Sequence, residues 1–177
     1  SLKRLQTDRI DRYYAHQDDP KTPLEETLTA FDRLVREGMV RYIAASNYSA
    51  PRLADALAVA KREGLTRYVA LQPHYNLVHR HEYEGELMDL CAREELSCAP
   101  YFSLARGFLT GKYRPGVTVS SPRSAGASTY LNERGLAVLA ALDDIAASRS
   151  TTVAAVGLAW LKTRPTVVAP IAGAGSP

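Results

Sequence analysis

Long apolar stretches are absent from this sequence, and cysteine is scarce. No apolar run reaches the ~18 residues that a membrane-spanning helix needs. The segment from Ser1 to Asp8 has the charged character of a helix end and not of a secretion signal. The two cysteines, Cys91 and Cys98, do not form a CxxC motif. We therefore predict a cytoplasmic protein without a membrane partner, in which both cysteines are buried thiols.

The sequence also has no large excess of basic over acidic side chains, or of acidic over basic ones. The 177 residues include 22 basic and 19 acidic side chains, for a net charge of +3, and the two signs are interspersed. Without a basic cluster the sequence gives no sign of a nucleic-acid partner. An apolar fraction of 46% is ordinary for a globular protein of this length, so we expect residues 1–177 to form a single domain.

What the sequence does contain is a regular alternation of strand and helix patterns. The predicted strands begin near residues 10, 40, 68 and 97, and cover 10–14, 40–44, 68–72 and 97–101, with a last strand at 167–171. Strands that alternate with single helices pair in parallel through right-handed crossovers. This rhythm predicts an α/β fold, and both a doubly wound sheet and a (β/α)₈ barrel satisfy it.

The signals at the ends of the predicted helices are specific. We expect Thr22 to cap a helix that has Pro23 at its first position, and Ser49 to cap the next one. Gly38 and Gly64 should end these two helices. Later helices carry apolar faces, which are Tyr83, Leu87 and Leu90, then Val138, Leu142 and Ile145, then Val153, Val156, Trp160 and Leu161. Between them, 102–129 is predicted to be a long loop, and loops of that length are usually functional or disordered.

Hydrogen-bonding and aromatic side chains follow the predicted strands at their carboxyl ends. In chain order they are His16, Ser46, Asn47, Gln72 and Tyr101, with Gly173 after the last strand. Ligands bind at the carboxyl ends of parallel strands. Amides and a ring suit a flat, uncharged ligand group that itself bears an amide. The alternative for Ser46 and Asn47 is that they only cap the following helix.

Five segments of the chain, taken in order, resemble motifs of the aldo-keto reductase family. The resemblance covers essentially all 177 residues. The segments are Ile10–His16, Gly38–Ser49, Gln72–Leu77 (QPHYNL), Tyr101–Tyr113 (YFSLARGFLTGKY) and Pro170–Ala174.

The resemblance implies a role for each matching residue. His16 would orient and polarise a substrate carbonyl, and its alternative is a satisfied structural histidine. Ser46, Asn47 and Gln72 would hold the nicotinamide carboxamide, and Tyr101 would stack on the ring. The residues expected along the pyrophosphate are Phe102, Ser103, Leu104 and Ala105. Those expected on the ribose-phosphate side are Lys112, Arg123 and Gly173. For Lys112 and Arg123 the alternative is a pair of solvated loop charges.

The same resemblance implies a fold and an activity. The fold would be a (β/α)₈ TIM barrel, of which this chain represents about the last five βα units. The activity would be hydride transfer between NADP(H) and a small aldehyde or ketone. The family's catalytic Asp, Tyr and Lys find no match here, so we expect the chain alone to be an inactive, incomplete barrel. The alternative function is a non-enzymic NADP(H)-binding regulatory subunit of a channel. An open sheet edge at 10–14 also makes a homo-oligomer one of the states to consider.

Several positions depart from the family pattern. Ala44 stands where glycine is usual, Phe102-Ser103 replaces Ser-Pro, and Gly175 replaces a phosphate-binding serine. These changes weaken inferences about cofactor affinity and preference. The stretch from Gly107 to Lys112 is too short between its glycines for a phosphate-binding P-loop. The pair His79 and His81 has no further ligand at a suitable spacing, so the sequence predicts no metal site.

Overall fold

The computed structural model describes residues 1–173, which fall into two compact units. The first unit comprises Ser1–Pro73 and Gly85–Cys98, and the second comprises His74–Glu84 and the chain from Ala99 onward. Ala174 and Gly175, named above for their match to a phosphate-side turn, lie outside the described residues. Among the described residues, no helix is both long and apolar enough to cross a membrane.

The first unit is built on a parallel sheet with the strand order β1-β2-β3-β4. Its strands are β1 (Ile10–Ala15), β2 (Val40–Ser46), β3 (Tyr68–Gln72) and β4 (Ser97–Cys98). Its helices are α1 (Leu2–Leu5), α2 (Leu24–Arg36), α3 (Ala50–Glu63) and α4 (Glu86–Arg93). One helix lies between each pair of successive strands, as parallel pairing requires. This is an α/β fold consistent with part of a TIM barrel, and it confirms the predicted class.

Strand β2 is the best buried of the four strands. It pairs with β1 on one side and β3 on the other, and its residues from Ile43 to Ser46 are all buried. Neighbouring strands on both edges cover this part of β2, which explains the apolar run Ile43–Ala45, whereas Arg41 and Tyr42 near the start of the strand are exposed.

Most of the predicted helix ends in this unit are confirmed. Gly38 follows α2 with φ 74°, and Gly64 ends α3 with φ 64°, backbone values that glycine adopts without strain. The side chain of Ser49 accepts a hydrogen bond from the amide of Arg52 and caps α3. The predicted cap at Thr22 is wrong: α2 begins after Pro23, and the Thr22 hydroxyl donates instead to Asp19 at 2.8 Å.

Two further boundaries in this part of the chain differ from prediction. Helix α4 begins at Glu86, after Gly85 with φ 97°, so Tyr83 precedes it in a turn. The strand predicted at 97–101 contains only Ser97–Cys98, because Pro100 has no amide hydrogen with which to continue the ladder. Tyr101 makes an isolated bridge with His74 instead, within the second unit.

The second unit is helical and has its own apolar core. Its elements are a 3₁₀ segment (Ala105–Thr110), α5 (Ser124–Ser128), α6 (Glu133–Ser148) and α7 (Val153–Lys162). The core contains Ala105, Phe108, Leu109, Tyr113, Ala127, Leu139 and Leu142. The 3₁₀ segment and α5 lie in the stretch that was predicted as a loop, 102–129, so that prediction is wrong for these parts.

Two predictions about the end of the chain are also corrected. Segment 167–171 lies outside the four-stranded sheet, and the Ile171 amide donates one hydrogen bond to the carbonyl of Pro100 at 2.9 Å. The sheet therefore has four of the five predicted strands. Ile145 is 46% exposed, because the buried face of α6 runs through Leu139, Leu142 and Ala146, which are separated by three and four residues.

Candidate functional site

Four predicted site residues lie together at the carboxyl end of the sheet in the first unit. Ser46 and Gln72 are the last residues of β2 and β3 and are partners in the register of these strands. The Ser46 hydroxyl donates to the Gln72 carbonyl at 2.8 Å, and the side-chain amide of Asn47 donates to the His16 carbonyl at 2.8 Å. The ends of three adjacent strands are thus linked by side chains at one rim.

Neither Ser46 nor Asn47 caps the following helix. Ser49 has that role, so the capping alternative for the first two residues is wrong. Asn47 has φ 57°, in the left-handed region, which asparagine tolerates better than most residues. This backbone conformation brings the Asn47 side chain to the carbonyl of His16.

The hydrogen bond of Ser46 limits its chemistry. The residue is only 3% exposed, and its one hydroxyl hydrogen is directed to the Gln72 carbonyl. Its oxygen lone pairs can still accept a hydrogen bond. Towards a ligand Ser46 can therefore act as an acceptor, for example from an amide NH₂ group.

The second unit contains a cleft of about 530 Å³ that carries positive charge. Its lining residues are Tyr101, Phe102, Ser103, Leu104, Arg106, Gly107, Thr110, Lys112, Ser121, Pro122, Arg123, Ile171, Ala172 and Gly173. Three of these side chains are cationic, and among the described residues that line the cleft none is acidic. An anionic ligand is favoured there over a neutral or cationic one.

This cleft brings together all but one of the site residues predicted in the second unit. Ala105 is the exception: it is fully buried in the apolar core beside Phe108 and Leu109. Ser103 is also almost completely buried, and its hydroxyl donates to the Pro100 carbonyl at 2.9 Å. The Lys112 and Arg123 side chains are exposed at the cleft, and the guanidinium nitrogens of Arg123 lie near Gly173.

Arg106 is a cleft residue that sequence reasoning missed. It has φ 58°, and its guanidinium carbon lies 4.3 Å from the centre of the Phe102 ring. Its side chain occupies the space beside Gly126, where a Cβ would come within 2.5 Å of the arginine Cδ. The motif that Tyr101–Tyr113 resembles accepts any residue at the position of Arg106. The only sequence signal for this residue was therefore an arginine followed by a glycine in a predicted loop.

The rings around Tyr101 form a cluster. His74 stacks on Tyr101 with ring centres 5.4 Å apart, and Phe102 meets both rings edge-on. Burial, together with the neighbouring His79, lowers the pKa of His74 to about 4, so its imidazole is neutral at pH 7. Burial also raises the pKa of Tyr101. Both rings are therefore uncharged at neutral pH.

Asn76 holds this cluster in place, and its role was also missed. The residue is fully buried, and its side-chain nitrogen donates to the Phe102 carbonyl at 2.9 Å. Its side-chain oxygen accepts from the amides of Val78 and His79. Asn76 thus connects the backbone of segment 74–79 to Phe102, which has φ 51°.

A parallel α/β sheet with polar side chains at its carboxyl rim is consistent with part of a protein of the TIM-barrel type. Comparison with known proteins identifies the family. The sequence pattern of the Aldo/keto reductase family matches residues 1–177, so this chain belongs to that family.

Individual relatives have different names. The chain is 35% identical to a probable voltage-gated potassium channel subunit beta of Oryza sativa, over 98% of this chain and 55% of the relative. It is 35% identical to an aldo-keto reductase of Fusarium vanettenii, over 98% of this chain and 47% of that protein. It is 31% identical to the L-glyceraldehyde 3-phosphate reductase of Escherichia coli, over 98% of this chain and 52% of that protein. The chain spans about half the length of these curated relatives.

Proposed function

We propose that the protein to which this chain belongs is a reductase that transfers a hydride between NADP(H) and a small aldehyde or ketone. The observation that carries the proposal is the cleft of the second unit, with Arg106, Lys112 and Arg123 and without an acid among its described lining residues. NADP(H) has a pyrophosphate and a further phosphate, and Arg and Lys are the side chains that recognise such groups. The residues present therefore fit the cofactor.

The rim of the first unit carries groups that suit a nicotinamide carboxamide. The nicotinamide carboxamide has one acceptor oxygen and one NH₂ donor. Ser46 can accept from that NH₂, and the side-chain amides of Asn47 and Gln72 offer both donors and acceptors. Tyr101, a neutral aromatic side chain at the cleft of the second unit, would stack on the nicotinamide ring.

His16 follows β1 and is exposed, as a residue that meets substrate must be. We propose that its imidazole orients and polarises the substrate carbonyl while the cofactor supplies the hydride. The proton that completes the reduction would come from the family's tyrosine acid, a role that we assign to none of the ten tyrosines here. Because Cys91 and Cys98 are both buried, we place the reaction in the reducing cytoplasm.

A second candidate is a non-enzymic NADP(H)-binding subunit of a channel. The relatives in Oryza sativa and Arabidopsis thaliana, 35% and 34% identical to this chain, carry the name of a probable potassium channel subunit beta. Such a subunit would keep the cofactor cleft and the rim. Unlike the reductase, it would bind NADP(H) without reducing an aldehyde or ketone.

The two candidates are separated by measuring binding and turnover on the same full-length protein. We expect NADPH fluorescence to report binding, and NADPH to be oxidised when 4-nitrobenzaldehyde is added. Binding without turnover, tested over several aldehydes and ketones, would favour the channel subunit. Absence of NADPH binding would contradict both candidates.

A further inference from the structure

Three potential metal ligands come together in segment 74–82 of the second unit. They are His74, His79 and Glu82, and one ligand atom from each lies within 4.8 Å of the other two. The sequence alone did not predict a site here, since its spacing drew attention only to His79 and His81. The fold adds His74 and Glu82, because the turn after Asn76 brings His79 back against His74.

Two atoms of this cluster already lie close together. Nε2 of His79 is buried, and a carboxylate oxygen of Glu82 lies 3.1 Å from it. A neutral imidazole nitrogen and a carboxylate oxygen can both bind a metal ion. An ion held between them would have two ligands from this pair.

We propose that His74, His79 and Glu82 bind a Zn²⁺ ion. Two imidazoles and one carboxylate are a donor set that Zn²⁺ uses in proteins, with water at the fourth position. The exposed carboxylate of Glu82 gives the ion a path from solvent. The buried Asn76 already holds this segment through the amides of Val78 and His79, so the backbone that carries His79 is fixed before the ion arrives.

Binding requires a small rearrangement. Ligands of a tetrahedral Zn²⁺ lie about 3.4 Å apart, so the cluster must contract. The Glu82 side chain is 57% exposed and can move. The rings of His74 and His79 are stacked, with centres 3.7 Å apart and planes inclined by 12°. Because an ion lies close to the plane of each imidazole that binds it, one of these rings must turn about its Cβ–Cγ bond.

Metal binding at the proposed site has to be distinguished from binding at the neighbouring surface histidine, His81. Its side chain is 74% exposed, and its Nε2 lies 3.7 Å from a Glu82 oxygen. A pair of nearby surface histidines can retain a metal ion without forming a built site. His81 is therefore the matched control.

The test is metal titration of the full-length protein after treatment with a chelator. We expect calorimetry to show one Zn²⁺ per chain, and Co²⁺ to give the visible absorption of a four- or five-coordinate ion. His74→Ala and Glu82→Gln should each weaken Zn²⁺ binding by about 100-fold or more, because removing a ligand costs at least as much as removing its supporting contacts. His81→Ala should leave the affinity unchanged.

Three results would overturn the proposal. They are no binding of either ion, full affinity in both the His74→Ala and the Glu82→Gln protein, or loss of binding in His81→Ala with retention in His74→Ala. The last result would assign the ion to the surface histidines. Since His74 also packs on Tyr101, the His81→Ala variant decides the question if His74→Ala does not fold: the proposed site keeps its Zn²⁺ affinity without His81, and a site on the surface histidines loses it.

Discussion

The side-chain amide of Asn47 donates a hydrogen bond to the backbone carbonyl of His16, with 2.8 Å between nitrogen and oxygen. The bond joins the residue that follows β2 to the residue that follows β1. It uses the backbone of His16 and not the imidazole. The position of the proposed catalytic residue therefore depends on an asparagine in a left-handed conformation.

Replacing Asn47 tests this relationship. Asn47→Ala removes the hydrogen bond and places alanine at φ 57°. We expect the free energy of unfolding to fall by about 1–2 kcal/mol, the sum of a modest hydrogen bond and backbone strain. Asn47→Gly also removes the hydrogen bond, but glycine adopts φ 57° without strain. Its free energy of unfolding should therefore fall by less than that of Asn47→Ala. Urea denaturation of the full-length protein measures both. Equal losses would show that the backbone conformation contributes nothing.

His16→Ala separates catalysis from cofactor binding. If the imidazole polarises the carbonyl, kcat/KM should fall by about 10²–10⁴-fold, the usual contribution of such a group. The Kd for NADPH should stay the same, because the Asn47 bond to the His16 backbone remains. His81→Ala is the control histidine. An unchanged kcat/KM would return His16 to a structural role.

The cations of the cleft should discriminate between the two nicotinamide cofactors. Lys112→Ala and Arg123→Ala are each expected to raise the Kd for NADPH by about tenfold, the effect of one charge-assisted contact. NADH lacks the additional phosphate and should be affected much less. Lys162→Ala, at the end of α7, serves as the exposed control. No effect on either cofactor would make both side chains solvated loop charges.

Asp32 predicts a specific pH dependence of stability. The hydroxyl and the amide of Thr66 both donate to its carboxylate, and with Arg36 nearby they hold its pKa below the ordinary 3.8. A lowered pKa means that this stabilisation is present above the unfolded pKa and is lost as the pH falls through the folded value.

The matched comparison is Asp32→Asn against Asp55→Asn on the exposed side of α3. Above about pH 5, Asp32→Asn should be less stable than the parent protein by about 1–2 kcal/mol, since charged acceptors form the stronger hydrogen bonds. The difference should shrink below pH 4. A difference that persists unchanged at pH 3 would contradict the lowered pKa.

Two buried helical glycines are expected to respond in opposite ways to alanine. At Gly135 in α6, a Cβ would overlap the carbonyl oxygen of Tyr130. At Gly157 in α7, the nearest atom to a new Cβ is 3.8 Å away, on Leu104. We expect Gly135→Ala to destabilise the protein by about 2 kcal/mol or more through overpacking. Gly157→Ala should be neutral or stabilise by up to about 1 kcal/mol, because alanine favours the helix. Thermal unfolding of the two variants compares them directly.

The strand–helix order could be predicted because most local signals agreed with the fold. Ile43–Ala45 is apolar because it is buried between neighbouring strands, and Ser49 and Gly64 mark the ends of α3. Pro100 shows where such signals fail. The predicted strand around it looked continuous, but the absence of one amide hydrogen ends the ladder at Cys98.

The residues of the candidate site that lie at strand ends could be predicted from the sequence, because the ends of the strands themselves could be predicted. His16, Ser46, Asn47 and Gln72 each follow or end a strand and could be identified in that way. Arg106 and Asn76 could not, because their importance depends on long-range contacts with Phe102. Nothing in the local sequence specifies which backbone carbonyl a buried asparagine will reach.

Phe102, Ala105 and Arg106 all have left-handed backbone conformations, within five positions of the chain. Each such residue costs about 1–3 kcal/mol, against a total stability of about 5–15 kcal/mol for a typical protein. Because this strain reduces the free energy of unfolding, less of that free energy remains to offset destabilising substitutions elsewhere in the chain. We therefore expect this protein to tolerate fewer destabilising substitutions far from the cleft than a homologue with a relaxed loop, so the shape of one loop restricts how the rest of the sequence can evolve.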